Sequence, residues 1–327
     1  MLVVQDAWWS GDLPQRAVAT IGNFDGIHRG QRAILDRVVT RARELGAPSA
    51  LITFDPHPLA VLRPNEAPPL LTTPAQKERL VEEADIEHLL VLRFDRELAQ
   101  RSADDFVRRF LADSLEVREL WVGRGFRFGR KRDGDVALLA RLGATLGFTA
   151  HGVDEVLWEG EPVSSTRIRN ALRGGEVEEA MGMLGRPYEI TGEVLRGDRM
   201  GQKLGWPTIN LRVDNALIPR DGVYATRVGL MAGSFDAATN IGTRPTVYEN
   251  FHQVVESHIL DFASDVYGQQ VALRFHKRLR EERIFPSIMD LSAQIGRDVE
   301  ATRAHFAALR RRDEAATAAP AAGRAES

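Results

Sequence analysis

The period of the hydrophobic pattern changes once along the chain, close to Gly185. Before that point β-type runs alternate with helix-spaced ones. The β-type runs are AVATI (Ala17 to Ile21), SALITF (Ser49 to Phe54), HLLVLRF (His88 to Phe94), ELWVG (Glu119 to Gly123) and FTAHGV (Phe148 to Val153). Between them lie QKERLVEEA, SADDFVRRFL with a Ser102/Asp105 capping box, and DVALLARLGATLG, which ends in a glycine suited to a C-cap. This alternation predicts a parallel sheet with helices on both faces. Beyond Tyr188 the pattern is short strands and turns: ITGEVL, GVYATRV, FDAATNIG, VVESHILDF and QQVALRFHKRL. That predicts an antiparallel barrel or sandwich. A helix follows over SIMDLSAQIGRDVEATRAHFAALR, with Ile288, Leu291, Ile295 and Val299 at helical spacing. The Ala-rich end has little to bury and is expected to be disordered. The 327 residues thus divide into an α/β domain over 1–185, a β domain with a C-terminal helix over 186–311, and a tail over 312–327.

The net charge of −3 gives no reason to expect a nucleic-acid partner. With no cysteine, disulfides, thiolate metal sites and a cysteine nucleophile are excluded. The first residues, MLVVQDAWWSGDLP, lack a basic n-region and a cleavage-type site, and no apolar run is long enough to cross a bilayer. The expectation is a cytoplasmic protein without a membrane partner.

The unusual residues of the first half fall just after strand ends, where a parallel sheet binds ligands. GNFDGIHRGQ (Gly22 to Gln31) follows the first β-type run and leads into RAILDRVV, whose apolar residues repeat at helical spacing. A strand, a turn with Gly22, Gly26 and Gly30, and a helix N-terminus present backbone N–H groups and a positive dipole end to an anion. Asn23 and Phe24 lie in the turn, and His28 and Gln31 share the first helical turn. An ordinary βα turn capped by Asp25 has the same spacing. DPHP follows the second run, with His57 between two prolines, a restricted backbone that suits a fixed ring or a plain surface turn. RGFRFGRKRDGD follows the fourth; its Arg127, Arg130, Lys131 and Arg132 read as a binding loop or a solvated charge run. In VSSTRIRNAL the hydroxyls of Ser164, Ser165 and Thr166 precede a helix, where they cap it or bind phosphate, with Arg167 and Arg169 as charged donors.

In the second half, GDRMGQKLGWPTINL places Gly197, Gly201 and Gly205 in a loop with Arg199 and Lys203, ahead of Thr208 and Asn210. If that end is extended, Thr208 and Asn210 face one side and Ile209 and Leu211 the core. A hydroxyl and an amide oxygen together can hold a hydrated Mg²⁺ and a nucleotide phosphate; a polar edge-strand face looks the same. In VVESHILDF, Glu256 and His258 face away from Val255 and Ile259, so Glu256 is a candidate base for a hydroxyl attacking a phosphate.

Taken in order, these motifs resemble the bifunctional riboflavin kinase/FAD synthetase family. G-N-F-D-G-I-H-x-G resembles its opening motif, an H-x-G-H element of pyrophosphate-releasing nucleotidyltransferases, with Gln31 at the second histidine. Gly123, Phe126, Phe128 and Gly129 match a second element, in which Gly125 replaces Asn or Asp; VSSTRIR resembles the S-S-T-x-[IV]-R element. G-x-x-x-G-x-x-x-G-W-P-T-x-N resembles the riboflavin kinase signature, with Ile209 for its usual alanine, and NIGTRPT, VVESH, YGQQV and RLREERIF resemble its later parts. The resemblance spans about Val18 to Phe306. It implies a nucleotidyltransferase-type α/β domain making FAD from FMN and ATP, and an antiparallel barrel making FMN from riboflavin and ATP. It implies His28 as the phosphate-stabilising donor, Glu256 as base, and Thr208 and Asn210 as nucleotide and Mg²⁺ ligands. Gly22, Asn23, Phe24, Gly26, Gly30, Gln31, His57, Ser164, Ser165, Thr166 and Arg167 would bind nucleotide in the first domain. Gly197, Gly201, Lys203 and Gly205 would bind ATP with Thr208 and Asn210 in the second. The expected partners are small molecules, flavins and ATP. Two alternatives stay open: a riboflavin kinase whose first domain is weakened or silent because of Gln31 and Gly125, and a non-catalytic flavin or nucleotide sensor.

Overall fold

Alternate residues of the first-half strands part to opposite faces of one sheet. Ala19, Ala50, Ile52, Leu90 and Leu92 enter one buried layer, and Val18, Leu51, Leu89 and Val91 enter the other. Both faces therefore need cover, as in all-parallel sheets. The computed structural model describes residues 1–9, 11–196, 201, 205–244 and 252–318. Its first elements are β1 (Leu2–Val4), β2 (Val18–Ile21), α1 (Arg29–Leu45), β3 (Ser49–Asp55), α2 (Pro58–Leu62), α3 (Pro74–Glu82), β4 (His88–Arg93) and α4 (Arg96–Gln100). Next come α5 (Ala103–Phe106, continued by wider turns to Ser114), β5 (Glu119–Gly123), α6 (Val136–Leu146), β6 (Thr149–Val153), a hairpin of β7 (Leu157–Trp158) and β8 (Glu161–Pro162), α7 (Ser165–Gly174) and α8 (Val177–Leu184).

The six-stranded sheet has the order β1-β4-β3-β2-β5-β6, and each neighbouring pair is parallel. Leu35, Val38 and Val39 of α1 with Leu80 and Val81 of α3 cover one face; Phe106, Val107, Phe110, Leu139 and Leu142 cover the other. The chain leaves β2 toward β3 on one side and later returns to β5 on the other, so the loops after β2 and β5 open a crevice. Caps at α1, α5 and α6 follow local rules: Gly46 ends α1 at φ 58°, Ser102 caps α5, and Gly147 ends α6 at φ 85°. β1 was not expected, since three residues with Leu2 exposed are too short to show a period.

The second half contributes β9 (Tyr188–Leu195), β10 (Ile209–Val213), β11 (Gly222–Leu230), β12 (Gly233–Arg244), β13 (His252–Ile259), β14 (Gln270–Arg280) and α9 (Ile288–Ala318). The strands close an antiparallel barrel in the order β10-β13-β12-β11-β14-β9, with β9 back on β10. Closure removes the edges that short strands would otherwise expose. Inside, Tyr224 meets Phe275 edge to face at 5.3 Å. A fully buried hydroxyl chain runs Thr226–Thr239–Ser257 with 2.6 Å links, so each buried oxygen is satisfied by the next. α9 lies against the outside of the barrel, where Val299 and Phe306 are buried. Burial beside Arg227 pushes the facing His276 down to about 4.

Three expectations change here. Ile288 is 69% exposed, whereas Leu291 and Ile295 are half-buried and Val299 is buried, and Gln294, Asp298, Thr302 and Phe306 join them on the covered side of α9. The helix also runs on to Ala318, so 312–318 is ordered helix rather than disordered tail; 319–327 lie outside the described residues. The compact units are Met1–Ile168 with Met183–Gly185, and Arg169–Gly182 with the rest of the chain. Most of α7 and α8 therefore packs with the barrel, whereas the pattern change had put the division at 185. The Arg278 guanidinium sits against Gly175, the Arg278 N–H donates to Glu178 at 3.3 Å, and Arg220 N donates to Leu172 O at 3.0 Å.

A barrel fragment beginning at Arg169 should therefore outlast one beginning at Arg186 on heating. The difference should be several degrees, at about 2–4 °C per kcal/mol for this size. Equal melting midpoints by circular dichroism would show that α7 and α8 add nothing to the barrel.

Candidate active sites

The loop after β2 is held in a conformation that its sequence resists. Phe24 and Ile27 have φ of 43° and 42°, and Gly26 has 96°. Left-handed backbone at bulky residues costs on the order of 1–3 kcal/mol each unless the surroundings impose it. Here they do. Asp25 is only 3% exposed, and its carboxylate accepts from Leu71 N at 2.9 Å, Thr72 N at 3.3 Å and Thr72 Oγ1 at 3.3 Å. Thr72 Oγ1 also accepts from Gly26 N at 3.4 Å, and the Asp25 carbonyl accepts from Ser165 Oγ at 2.9 Å. Asp25 thus fastens the loop and does not cap α1.

The cap is His28. Its Nδ1 accepts from Gln31 N at 3.3 Å, and Gln31 Oε1 accepts from His28 N at 3.1 Å, a reciprocal capping box. With Nδ1 an acceptor, the neutral ring carries its proton on Nε2. The imidazole therefore offers an N–H donor at the positive end of a 17-residue helix, beside that helix's first amides. Gly30 makes room for the ring, since a Cβ there would lie 3.3 Å from it. The Gly22 N–H donates to Ile52 O at 3.0 Å and continues the sheet into the loop.

Around this turn the structure gathers the other strand-end residues. His57 caps α2 through Nδ1, which accepts from Leu59 N at 3.2 Å, and its Nε2 lies 3.0 Å from the Asn23 amide. A ring accepting at Nδ1 is a donor at Nε2, so the contact requires the Asn23 oxygen to face it. Ser164 caps α7 by accepting from Arg167 N at 3.2 Å. The Arg167 guanidinium donates to the carbonyls of Trp158 and Glu161 in the hairpin, and Thr166 is exposed. Lys77, absent from any motif, donates to Asn23 O at 2.9 Å; only its helical spacing was legible.

A cavity of about 660 Å³ opens beside the loop after β5. Phe54, Phe94, Phe106 and Phe128 line it, and Arg63, Arg101 and the 130–132 run border it. Gly129, at φ 75°, allows that run to pass Ala103, whose backbone N would be 2.6 Å from a Cβ. Arg130, Lys131 and Arg132 therefore border a cavity, whereas the Arg127 guanidinium donates to Phe126 O at 3.0 Å. Nothing lies within 4 Å of a Cβ built on Gly125.

In the barrel, register builds the second site. Asn210 on β10 pairs with Glu256 on β13, which pairs with Asn240 on β12. Their neighbours Ile209, Val255, Ser257, Thr239 and Ile241 point inward, so the three polar side chains form one outward row. The row lines a cavity of about 340 Å³ with Thr208, His258 and Gly201, roofed by Leu291 and Ile295 of α9. His258 Nδ1 donates to Pro207 O at 2.7 Å and fixes the chain entering Thr208. Gly201 permits a close turn, because a Cβ there would collide with Trp206 O. Arg280 holds α9 in place: its guanidinium grips the buried Asp298 carboxylate at 2.8 and 3.1 Å, and Gln294 adds a third bond at 2.8 Å. Gly197, Arg199 and Lys203, with the end of NIGTRPT, lie outside the described residues.

Among the described residues no three acidic or histidine groups cluster to hold a metal. The donors present, the Thr208 hydroxyl and the Asn210 amide oxygen beside Glu256, suit a hard cation that arrives with phosphate oxygens and keeps part of its water.

Two family models match the chain in succession. The FAD synthetase family model matches residues 11–167, and the riboflavin kinase model matches 184–306. Similar proteins include the bifunctional riboflavin kinase/FMN adenylyltransferases of Pseudomonas fluorescens, 42% identical over 88% of this chain and 92% of that one, and of Haemophilus influenzae, 36% identical over 89% and 95%. The crystal structure of a macrolide-efflux protein from Streptococcus pneumoniae superposes with a TM-score of 0.83 at 28% identity, covering 92% of this chain and 98% of that one. Among the described residues of this chain no helix is long and apolar enough to cross a membrane.

Gly26→Ala should lower the stability of the first unit by about 1–2 kcal/mol, because φ is positive and Leu71 Cδ1 stands 2.8 Å from the new Cβ. Gly125→Ala, in open space, should stay within about 0.5 kcal/mol. Urea unfolding of both variants checks the pair, and equal midpoints would contradict the strain at Gly26.

Proposed function

The chain belongs to the bifunctional riboflavin kinase/FMN adenylyltransferase family, and from that membership we propose how its residues divide the chemistry. The barrel unit phosphorylates riboflavin with ATP to give FMN and ADP. The parallel-sheet unit transfers the adenylyl group of a second ATP to FMN, giving FAD and pyrophosphate.

In the barrel the terminal ribityl hydroxyl loses its proton to Glu256. Its oxygen bonds to the γ-phosphorus of ATP as the bridging bond to the β-phosphate breaks. Thr208 and Asn210 would hold the nucleotide phosphates and Mg²⁺, which would supply charge neutralisation there, while Gly201 and Gly205 would let the backbone approach the nucleotide. The observation that carries this assignment is the Asn210–Glu256–Asn240 row under α9, a carboxylate flanked by two amides in a roofed cavity.

In the first unit a phosphate oxygen of FMN attacks the α-phosphorus of ATP, and the bond to the departing pyrophosphate breaks. The His28 Nε2–H, the amides of α1 and the glycine turn stabilise the charge that develops. The aromatic cavity with its basic border has the chemistry of FMN, an apolar ring system carrying a phosphate, and we assign the flavin to it. Ser165 and Asn23 then act by shaping the loop, and Arg167 by holding the hairpin beside it. ATP and free flavins as substrates, with a chain that has no cysteine, fit work in the cytoplasm.

Incubation with riboflavin, Mg²⁺ and ATP should yield FMN and then FAD; FMN alone would favour a silent first site, and neither product a sensor. Glu256→Gln should lower FMN formation about 10²–10⁴-fold with ATP binding retained. Turnover within a few-fold of wild type would remove Glu256 as base. Thr208→Ala and Asn210→Ala should instead raise the Mg²⁺ or ATP concentration required.

Gln31 sets the relative strength of the two activities. A charged donor is worth about 1.5–3 kcal/mol and a neutral one about 0.5–1.5, so FAD formation should rise roughly ten- to thirtyfold in Gln31→His. Measured FMN-to-FAD rates that do not change would show that glutamine serves as well.

A further inference from the structure

We infer that Lys77 is a positioning residue for adenylyl transfer, holding the Asn23 carbonyl so that the strained turn and His57 keep their places around the reacting phosphates. The inference rests on the assignment of FMN adenylylation to the first unit.

Two donors converge on one oxygen and lie against each other. Lys77 Nζ donates to Asn23 O at 2.9 Å, Thr53 Oγ1 donates to the same oxygen at 3.1 Å, and Lys77 Nζ lies 3.4 Å from Thr53 Oγ1. That carbonyl belongs to the peptide linking Asn23 to Phe24, the first residue of the turn in left-handed backbone. Turning the peptide would relax Phe24, and the ammonium and hydroxyl oppose that turn. The Asn23 side chain in turn meets His57, so one cation fixes a peptide and, through its residue, a ring on the next strand end. α3 carries Lys77 into this position. Its own start is fixed by a Thr73/Gln76 capping box with Pro74 at its first turn.

The charge matters as well as the hydrogen bond. Lys77 borders a small cavity of about 60 Å³ with Asp25, Asp55, His57 and Glu78. Burial pushes the ammonium below the ordinary lysine value, and the Asp25 and Asp55 carboxylates pull it back. A neutral donor would satisfy Asn23 O at less desolvation cost. A cation is useful here because the loop must receive two anionic substrates. Without it, the negative charges of Asp25 and Asp55 would face those phosphates uncompensated.

The full chain supplies its own control, since riboflavin phosphorylation belongs to the other unit. In Lys77→Met, kcat for FMN-to-FAD conversion should fall about ten- to hundredfold, and riboflavin phosphorylation should stay within twofold. Lys77→Arg keeps the charge and a donor and should recover most of the rate. It should also move the alkaline loss of FAD formation to higher pH, because arginine does not titrate there and lysine does. A purely structural lysine would alter the melting midpoint and leave that alkaline limb where it is. A Lys77→Met enzyme that forms FAD at the wild-type rate overturns the inference. If Lys77→Met does not fold, an alkaline limb unchanged in Lys77→Arg overturns it equally. A wild-type chain that makes FMN but no FAD defeats the assignment of the first unit, and the inference with it.

Discussion

The first unit depends on the buried carboxylate of Asp25. A charge 3% exposed is tolerable only when its oxygens are satisfied, and here two backbone amides and a hydroxyl of Leu71 and Thr72 do so. That one residue joins three segments distant in sequence: the turn after β2, the approach to α3, and the start of α7 through Ser165. The strained backbone at Phe24, Gly26 and Ile27 is the consequence, and it aims His28 and the start of α1 into the crevice. Removing the carboxylate would release the strain and the donor geometry together. This is why the residue after Phe24 is a buried acid, although a helix cap would have explained the sequence equally well.

The barrel solves a related problem with a charge pair. α9 must roof the Asn210–Glu256–Asn240 row, but a purely apolar stripe would have let it slide along the barrel. Arg280 and Asp298 fix its position with three close contacts, and Gln294 completes the carboxylate's shell. Buried pairs of this kind stabilise little against an apolar substitute, and their use is in setting register. The helix therefore buries Gln294, Asp298 and Thr302 where a hydrophobic pattern would call for apolar residues.

That helix shows where sequence reading reaches its limit. Strand runs and their order were legible because period-two alternation and turn residues are local. So were the outward faces of Glu256 and Asn210, which follow from alternation alone. Ile288 falls outside the covered stripe, because helical spacing alone does not say where that stripe begins when Gln294, Asp298 and Thr302 share it with apolar residues. The allotment of α7 and α8 was also invisible, since it rests on Arg278 and Arg220, distant in sequence. Lys77 and the aromatic cavity were missed for the same reason. Phe54, Phe94, Phe106 and Phe128 come from four separate segments, and only the fold brings them together.

The Gln31 capping box shows why one departure from a motif can be absorbed. Position 31 must accept the His28 N–H, or the first turn of α1 loses its reciprocal cap. A carboxamide does this with Oε1 and still has a separate N–H donor on Nε2; a histidine does it with one ring nitrogen and donates from the other. Both residues therefore preserve the fixed tautomer of His28, which comes from the backbone N–H of residue 31 and not from its side chain. What glutamine lacks is the ability to carry a proton and its charge, which a histidine gains only by releasing the His28 N–H, since both nitrogens of a charged ring are donors. The substitution leaves the architecture of the turn intact and acts on the one quantity the architecture does not determine, the strength of the donor facing the phosphates.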